Sequence, residues 1–249
     1  MLRVLERKHR DKPLFILGCG PSILNYDLER IKPFVTIGVN RAVKLIDPTY
    51  HIFIDRGMIP EVDVTKSAQI ICAAQSLKKN PCPNAKHVAK KALTFYQSRS
   101  PAAKIHRKYE GLIYGNTSTH AGLHLAYIMH ANPIIFLGVD LKHESDGRYY
   151  FYSDPVQQYG ILSARNQRRL LKAPKEKPKV EVRHKGKKVV IRKENQRMII
   201  NLNRSCSIIK KASVQIYQCY KDSLLDEAVY KPFEEVMNEI EGGSNEAVH

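Results

Sequence analysis

Tryptophan is absent from the 249-residue chain, and its 24 acidic residues are outnumbered by 41 Lys and Arg. No uncharged apolar run approaches the roughly 18 residues that a membrane-spanning helix needs. The opening "MLRVLERKHRDK" carries charges where a secretory leader requires an apolar stretch. Five cysteines (Cys19, Cys72, Cys82, Cys206 and Cys219) make an odd number without CxxC spacing, which argues against a disulfide framework or a zinc site. Free thiols in a reducing compartment, in a soluble cytoplasmic protein, are therefore expected. Also missing are an HExxH helix, an acidic DxD ("EVDV" is the nearest), a GxxxxGK[ST] loop and a GxGxxG turn. His120, His124 and His130 share one segment, but without a companion Glu they read as structural histidines, and no metal is expected.

What the chain has in excess is positive charge, +17 in total and unevenly placed. Between Arg165 and Arg197 fourteen Lys or Arg stand against three Glu. Charge concentrated in this way points to a polyanionic partner: nucleic acid, an acidic glycan or an anionic membrane surface. "ILSARNQRRLLKA" reads as a basic helix, and "KVEVRHKGKKVVIRK" alternates apolar and basic residues around a turn at His184-Lys185-Gly186, as a hairpin does. Arg168, Arg169, Lys179, Arg183, Lys185, Lys187, Lys188, Arg192 and Lys193 are the candidate contacts to a phosphate backbone. With no Trp, Tyr or Phe in the segment, recognition of single strands by base stacking is not expected.

Elsewhere, short apolar runs alternate with helical patterns. "PLFILG", "FVTIGV", "HIFID", "AQIICAA", "IIFLGVD" and "VQIYQCY" suit strands buried on both faces. "LNYDLERI" suits a short helix, "KHVAKKALTFY" a polar-rimmed connection, and "SCSIIKKA" and "AVYKPFEEVMNEI" two late helices. A helix from about His120 to His130, capped by Thr117, Ser118 or Thr119, feeds the "IIFLGVD" strand. The expected fold is α/β: a Rossmann-like, mostly parallel sheet flanked by helices, forming a single domain over 1–249 with a cationic helix-plus-hairpin insertion at about 165–197.

In such sheets, ligands bind outside the carboxyl ends of the strands. "FILGCGPSI" runs a buried strand into a glycine turn that lets backbone amides approach an anion. Asn40, Asp55 and Asp140 follow apolar runs at equivalent ends, and Thr117 and Ser118 open a helix with free amides. Each has a plain structural alternative as a turn residue or cap. Their value lies in pointing to one sheet edge.

Five segments in order, "ILGCGPSILNYDL", "IGVNRAV", "HIFIDRG", "YGNTSTHAGLHLA" and "IIFLGVDL", carry a resemblance. They resemble the bacterial CMP-sialic-acid-using sialyltransferases, and equally the related hydroxymethylpterin diphosphokinase-like and flagellin-modifying glycosyltransferase families. The similarity spans about Phe15 to Tyr152. It implies that Gly18, Cys19, Gly20, Pro21 and Ser22 line a nucleotide's phosphate and ribose. Asn40, with Arg41 beside it, and Asp55 would contact the donor. Asn116, Thr117 and Ser118 would bind phosphate or sugar, and Gly138 and Asp140 would flank the nucleoside. Tyr149 and Tyr150 match loosely the tyrosines that assist the departing phosphate. The chain departs from the sialyltransferases at Cys19, where they carry asparagine, and in "RKENQRMIINLNRS", which lacks their catalytic histidine. Glu194, or His143, Glu144 or Asp154 of the tyrosine-rich segment, stands as a substitute base, and Asp140 is a further candidate.

The function expected from these features is a metal-independent glycosyltransferase using a CMP- or UDP-linked sugar. Its acceptor would be polyanionic: DNA carrying a hydroxylated base, or otherwise an acidic cell-surface glycan. Diphosphate transfer to a pterin-like small molecule is the first alternative, and a non-catalytic nucleic-acid-binding module the second.

Overall fold

A computed structural model describes residues 2–62, 69–78, 83–95, 97–98, 105, 111–145, 147–152, 179–193 and 195–245. Eight strands form one parallel sheet. In chain order they are β1 (Leu14–Leu17), β2 (Val35–Val39), β3 (Tyr50–Phe53), β4 (Gln69–Ala73), β5 (Leu93–Phe95), β8 (Ile134–Leu137), β11 (Ile216–Gln218) and β12 (Val229–Tyr230). Across the sheet the order is β12-β11-β8-β1-β2-β3-β4-β5. Chain order therefore reverses between β1, which pairs with β2 in the register Leu14↔Val35, and β8, which pairs with β1 in the register Leu14↔Ile134. This is the Rossmann-like architecture anticipated from the alternating runs. The reversal opens the crevice in which such sheets hold ligands.

The strands are apolar throughout because both sheet faces are covered. Leu14 and Ile16 of β1 join a core shared with α3 (Ser118–Ile128) and α4 (Asn195–Lys211), while Phe15 and Leu17 join one shared with α5 (Phe233–Asn245). Phe53, Ile70 and Cys72 form a third cluster with Ala85 and Val88 of α2 (Pro83–Lys91), which follows α1 (Ala74–Lys78). A small second sheet pairs β6 (Gln97–Ser98) with β7 (Leu112–Ile113).

Three expectations need correction. "KHVAKKALTFY" is not a mere connection; it contains most of α2 and all of β5. Its lysines sit on the solvent side of a helix that buries Ala85 and Val88. "LNYDLERI" is not an α-helix; its first two residues end a short 3-10 helix at Pro21–Asn25, and turns follow. The helix expected from "SCSIIKKA" begins ten residues earlier, at Asn195, and buries Met198, Leu202, Cys206 and Ile209.

α3 buries all eleven of its residues. Expected to lie against a sheet on one face, it lies over β1, β2 and β3 and is also packed by β7 and α4. Its histidines are structural, as anticipated. His120 Nδ1 donates to the Ile113 carbonyl at 2.9 Å and Nε2 accepts from Ser205 Oγ at 2.7 Å, while His124 Nδ1 accepts from the Ile113 amide at 2.9 Å.

The cationic hairpin is present as β9 (Lys179–His184) and β10 (Lys187–Arg192), antiparallel around a Lys185-Gly186 turn. Val180, Val182 and Val189 pack on the core with the buried Ile191. Lys179, Arg183 and Lys188 are exposed. The basic helix expected over 161–173 lies outside the described residues, as do Arg168 and Arg169. Among the described residues no helix is long and apolar enough to cross a membrane.

Candidate functional site

A cleft of about 950 Å³ opens over the carboxyl ends of β1, β2, β3 and β8. Its floor is set by two backbone turns that touch. Gly18 follows β1 and Gly138 follows β8, and a Cβ on Gly18 would stand 2.2 Å from the Gly138 carbonyl oxygen. A Cβ on Gly20 would stand 2.4 Å from the Asp140 Cγ. The glycines read as phosphate-approach residues are required first by this crossing of protein on protein. Cys19 and Gly20 line the cleft; Gly18, Pro21 and Ser22 do not.

Ser22 turns toward Asp140. Its amide donates to Asp140 Oδ2 at 2.9 Å and its hydroxyl to Oδ1 at 2.5 Å. Asp140 lines the cleft but is 1% exposed, and burial pushes its carboxyl up to about 6 against the pull of Ser22. The pair clasps the glycine turn to the end of β8.

Two helices start at the cleft. α3 presents Thr117, Ser118 and Thr119, with Asn116 before them, and α4 presents Asn195, Gln196 and Arg197, with Lys193 before them. Thr117 Oγ1 caps α3 by accepting from the Thr119 amide at 3.3 Å. Ser118 Oγ accepts from the Ile54 amide at 3.2 Å, which fixes the start of α3 to the end of β3. The positive dipole ends of two helices, with Lys193 and Arg197, make the cleft attractive to anions. The α4 contribution (Asn195, Gln196, Arg197 and Met198) was missed in the sequence reading; the apolar spacing from Met198 through Leu202, Cys206 and Ile209 was the signal for it.

Asn40 and Asp55 reach the cleft as anticipated. Asn40 adopts a left-handed φ of 51°, and its Oδ1 is buried without a partner among the described residues. Asp55 is exposed, with Oδ1 accepting from the Gly57 amide at 2.8 Å. Cys19 donates Sγ–H to the Val39 carbonyl at 3.2 Å, and burial pushes its thiol up to about 11.

The tyrosine segment forms a further wall. Tyr149 and Tyr150 line the cleft, and Tyr149 Oη accepts from Asn195 Nδ2 at 2.6 Å. Arg192 of the hairpin lies over both rings, 4.5 Å from the Tyr149 centroid and 5.5 Å from that of Tyr150. Tyr150 stacks on Tyr152, and Arg41 stands 5.0 Å from the Tyr152 centroid. Arg41 thus supports this wall rather than lining the cleft. His143 and Glu144 also lie outside the lining: His143 Nδ1 donates to the Gly147 carbonyl at 3.0 Å, and Glu144 accepts from Tyr220 Oη at 2.9 Å. Glu194 and Asp154 are outside the described residues.

Part of the hairpin's charge is neutralised locally. Lys185 lies 3.6 Å from Asp226 and Lys188 lies 3.3 Å from Glu181. Arg192 is taken up by the tyrosines, whereas Arg183 and Lys187 are exposed and make no ion pair among the described residues.

A family model described as "6-hydroxymethylpterin diphosphokinase MptE-like" matches residues 1–146. Two solved structures are similar to this chain at 16% sequence identity. One is the MAf glycosyltransferase from Magnetospirillum magneticum AMB-1, with a TM-score of 0.55, covering 96% of this chain and 38% of that one. The other is the sialyltransferase CstII from Campylobacter jejuni, in complex with a substrate analogue, cytidine-5'-monophosphate; the TM-score is 0.48, with 90% of this chain and 86% of that chain covered. No curated protein matches.

Proposed function

The chain belongs to the MptE-like family, and from that premise we propose that it is a nucleotide-sugar-dependent glycosyltransferase acting on a polyanionic acceptor. The observation that carries the reading is the convergence of two helix N-termini, Lys193 and Arg197 on one cleft at the sheet's reversal point. A nucleotide leaving group accumulates negative charge on phosphate oxygens as its bond to the sugar breaks. Fixed amides and cations aimed at that charge lower the barrier. The cleft volume suits a nucleotide sugar. A protein named as a glycosyltransferase has the same fold, which is consistent with this chemistry without assigning it.

The donor is a CMP- or UDP-linked sugar, with Gly20, Asn40 and Asn116 to Ser118 as its contacts. Tyr149 and Tyr150 face the leaving group. The acceptor docks on the exposed cations of the hairpin, Arg183 and Lys187 foremost, and DNA carrying a hydroxylated base is the acceptor named first, with an acidic glycan second. The family description favours one other reading, diphosphate transfer from ATP to a pterin-like alcohol, which would release AMP.

A thermal-shift panel of CMP, UDP, their sugars and ATP, with and without duplex DNA, tests these readings. A ligand at a hundred times its dissociation constant stabilises by about 2.7 kcal/mol. Stabilisation by a sugar nucleotide and release of its nucleotide on turnover are the expected outcome. Stabilisation by ATP alone, with AMP formed when a hydroxymethylpterin is added, replaces the reading with diphosphate transfer.

A further inference from the structure

We propose that Asp55 is the general base that takes the proton from the acceptor hydroxyl, an inference that rests on the glycosyl-transfer reading above. Among the described residues the cleft lining holds no histidine, and the candidates for a base that the described lining offers are Cys19, Asp55, Asp140 and the tyrosines. Cys19 holds its proton too tightly, its thiol being pushed up to about 11 and its Sγ–H given to Val39. Asp140 is 1% exposed, and each of its carboxylate oxygens already accepts a hydrogen bond from Ser22. A phenol at neutral pH is an acid, suited to giving a hydrogen bond to a leaving phosphate. Lys193 and Arg197 are cations suited to the same phosphate.

Asp55 differs from all of these. It is exposed and lines the cleft. Its Oδ1 is held by the Gly57 amide at 2.8 Å, which fixes the plane of the carboxylate, while Oδ2 takes no bond among the described residues. Its neighbour Ile54 donates its amide to Ser118 Oγ, so Asp55 adjoins the start of α3, where the departing phosphate would be bound. In the step assigned, the acceptor O–H proton passes to Asp55 Oδ2 as the acceptor oxygen bonds to the anomeric carbon. The bond from that carbon to the phosphate oxygen breaks, and its electron pair leaves with the nucleotide. Water in place of the acceptor gives the free sugar by the same step.

The plain alternative is that Asp55 only caps the 3-10 helix Arg56–Glu61. Asn and Ser cap as well as Asp, so Asp55→Asn and Asp55→Ser remove the base and keep the cap. The assay measures nucleotide released from the CMP- or UDP-sugar that stabilises the wild-type protein, with water as acceptor. Both variants are expected to lose about 10²–10⁴-fold in kcat, with donor KM and Tm unchanged. Wild-type kcat in Asp55→Asn, loss of kcat only together with a fall in Tm, or loss in Glu194→Gln instead, overturns the proposal. A wild-type protein that hydrolyses no sugar nucleotide but forms AMP from ATP and a pterin overturns the glycosyl-transfer reading itself, and Asp55's role with it.

Discussion

Ser22 and Asp140 stand 118 positions apart, and their two hydrogen bonds hold the glycine turn against the end of β8. Removing the hydroxyl with Ser22→Ala leaves a buried carboxylate short of a donor, at a cost of about 1–3 kcal/mol. The cost depends on pH with a definite sign. Asp140 has a folded-state value of about 6, above its ordinary one of 3.8, so the charged carboxylate is penalised by folding. That penalty is absent below the unfolded value, grows as pH rises between the two, and is complete above the folded one. Urea denaturation is therefore expected to show a larger loss for Ser22→Ala at pH 8 than at pH 4. Gly20→Ala tests the same crossing from the other side. Its Cβ would meet the Asp140 carboxyl carbon at 2.4 Å. Overpacking there is expected to cost about 1–3 kcal/mol in stability, read from the same denaturation curves.

At the scale of elements, α3 depends on a neutral imidazole. Burial pushes His120 down to about 4, with the hydrogen bond to Ile113 opposing only in part. A depressed histidine contributes stability above its unfolded value of 6.5 and loses it as pH falls toward the folded one. Stability is expected to fall between pH 6.5 and 4 with uptake of about one proton on unfolding, and His120→Gln is expected to remove that proton from the urea-midpoint profile. The central strands were legible because a strand covered on both faces is a short unbroken apolar run, as at Leu14–Leu17 and Ile134–Leu137. α2 was not, because its lysines mask a pattern carried by the buried Ala85 and Val88. The start of α4 was hidden by its own polarity: Asn195 to Arg197 carry no apolar side chain, although they open a helix facing the cleft. Likewise, strand ends could be assigned to one sheet edge from sequence, whereas the Ser22–Asp140 clasp and the Arg192 contact with Tyr149 join residues that no spacing relates.

For the molecule as a whole, the net charge of +17 overstates what is available to a partner. Within the hairpin, Lys185 and Lys188 face carboxylates and Arg192 faces aromatic rings. Binding of duplex DNA through the remaining cations is expected to weaken steeply with salt. Arg183→Ala combined with Lys187→Ala should flatten the slope of log K against log salt by about 0.9 per lost phosphate contact. Fluorescence anisotropy at several salt concentrations measures it, and an unchanged slope would place the acceptor elsewhere.

α3 is buried at all eleven of its positions. In a library of random single substitutions, a surface helix tolerates changes at intervals that follow its turns. Here the tolerated intervals should vanish, leaving an unbroken band of intolerance from Ser118 to Ile128 that ends at the mouth of the cleft. The helix whose first turn opens on the cleft would then be the segment least free to drift, and divergence would collect instead in the exposed hairpin.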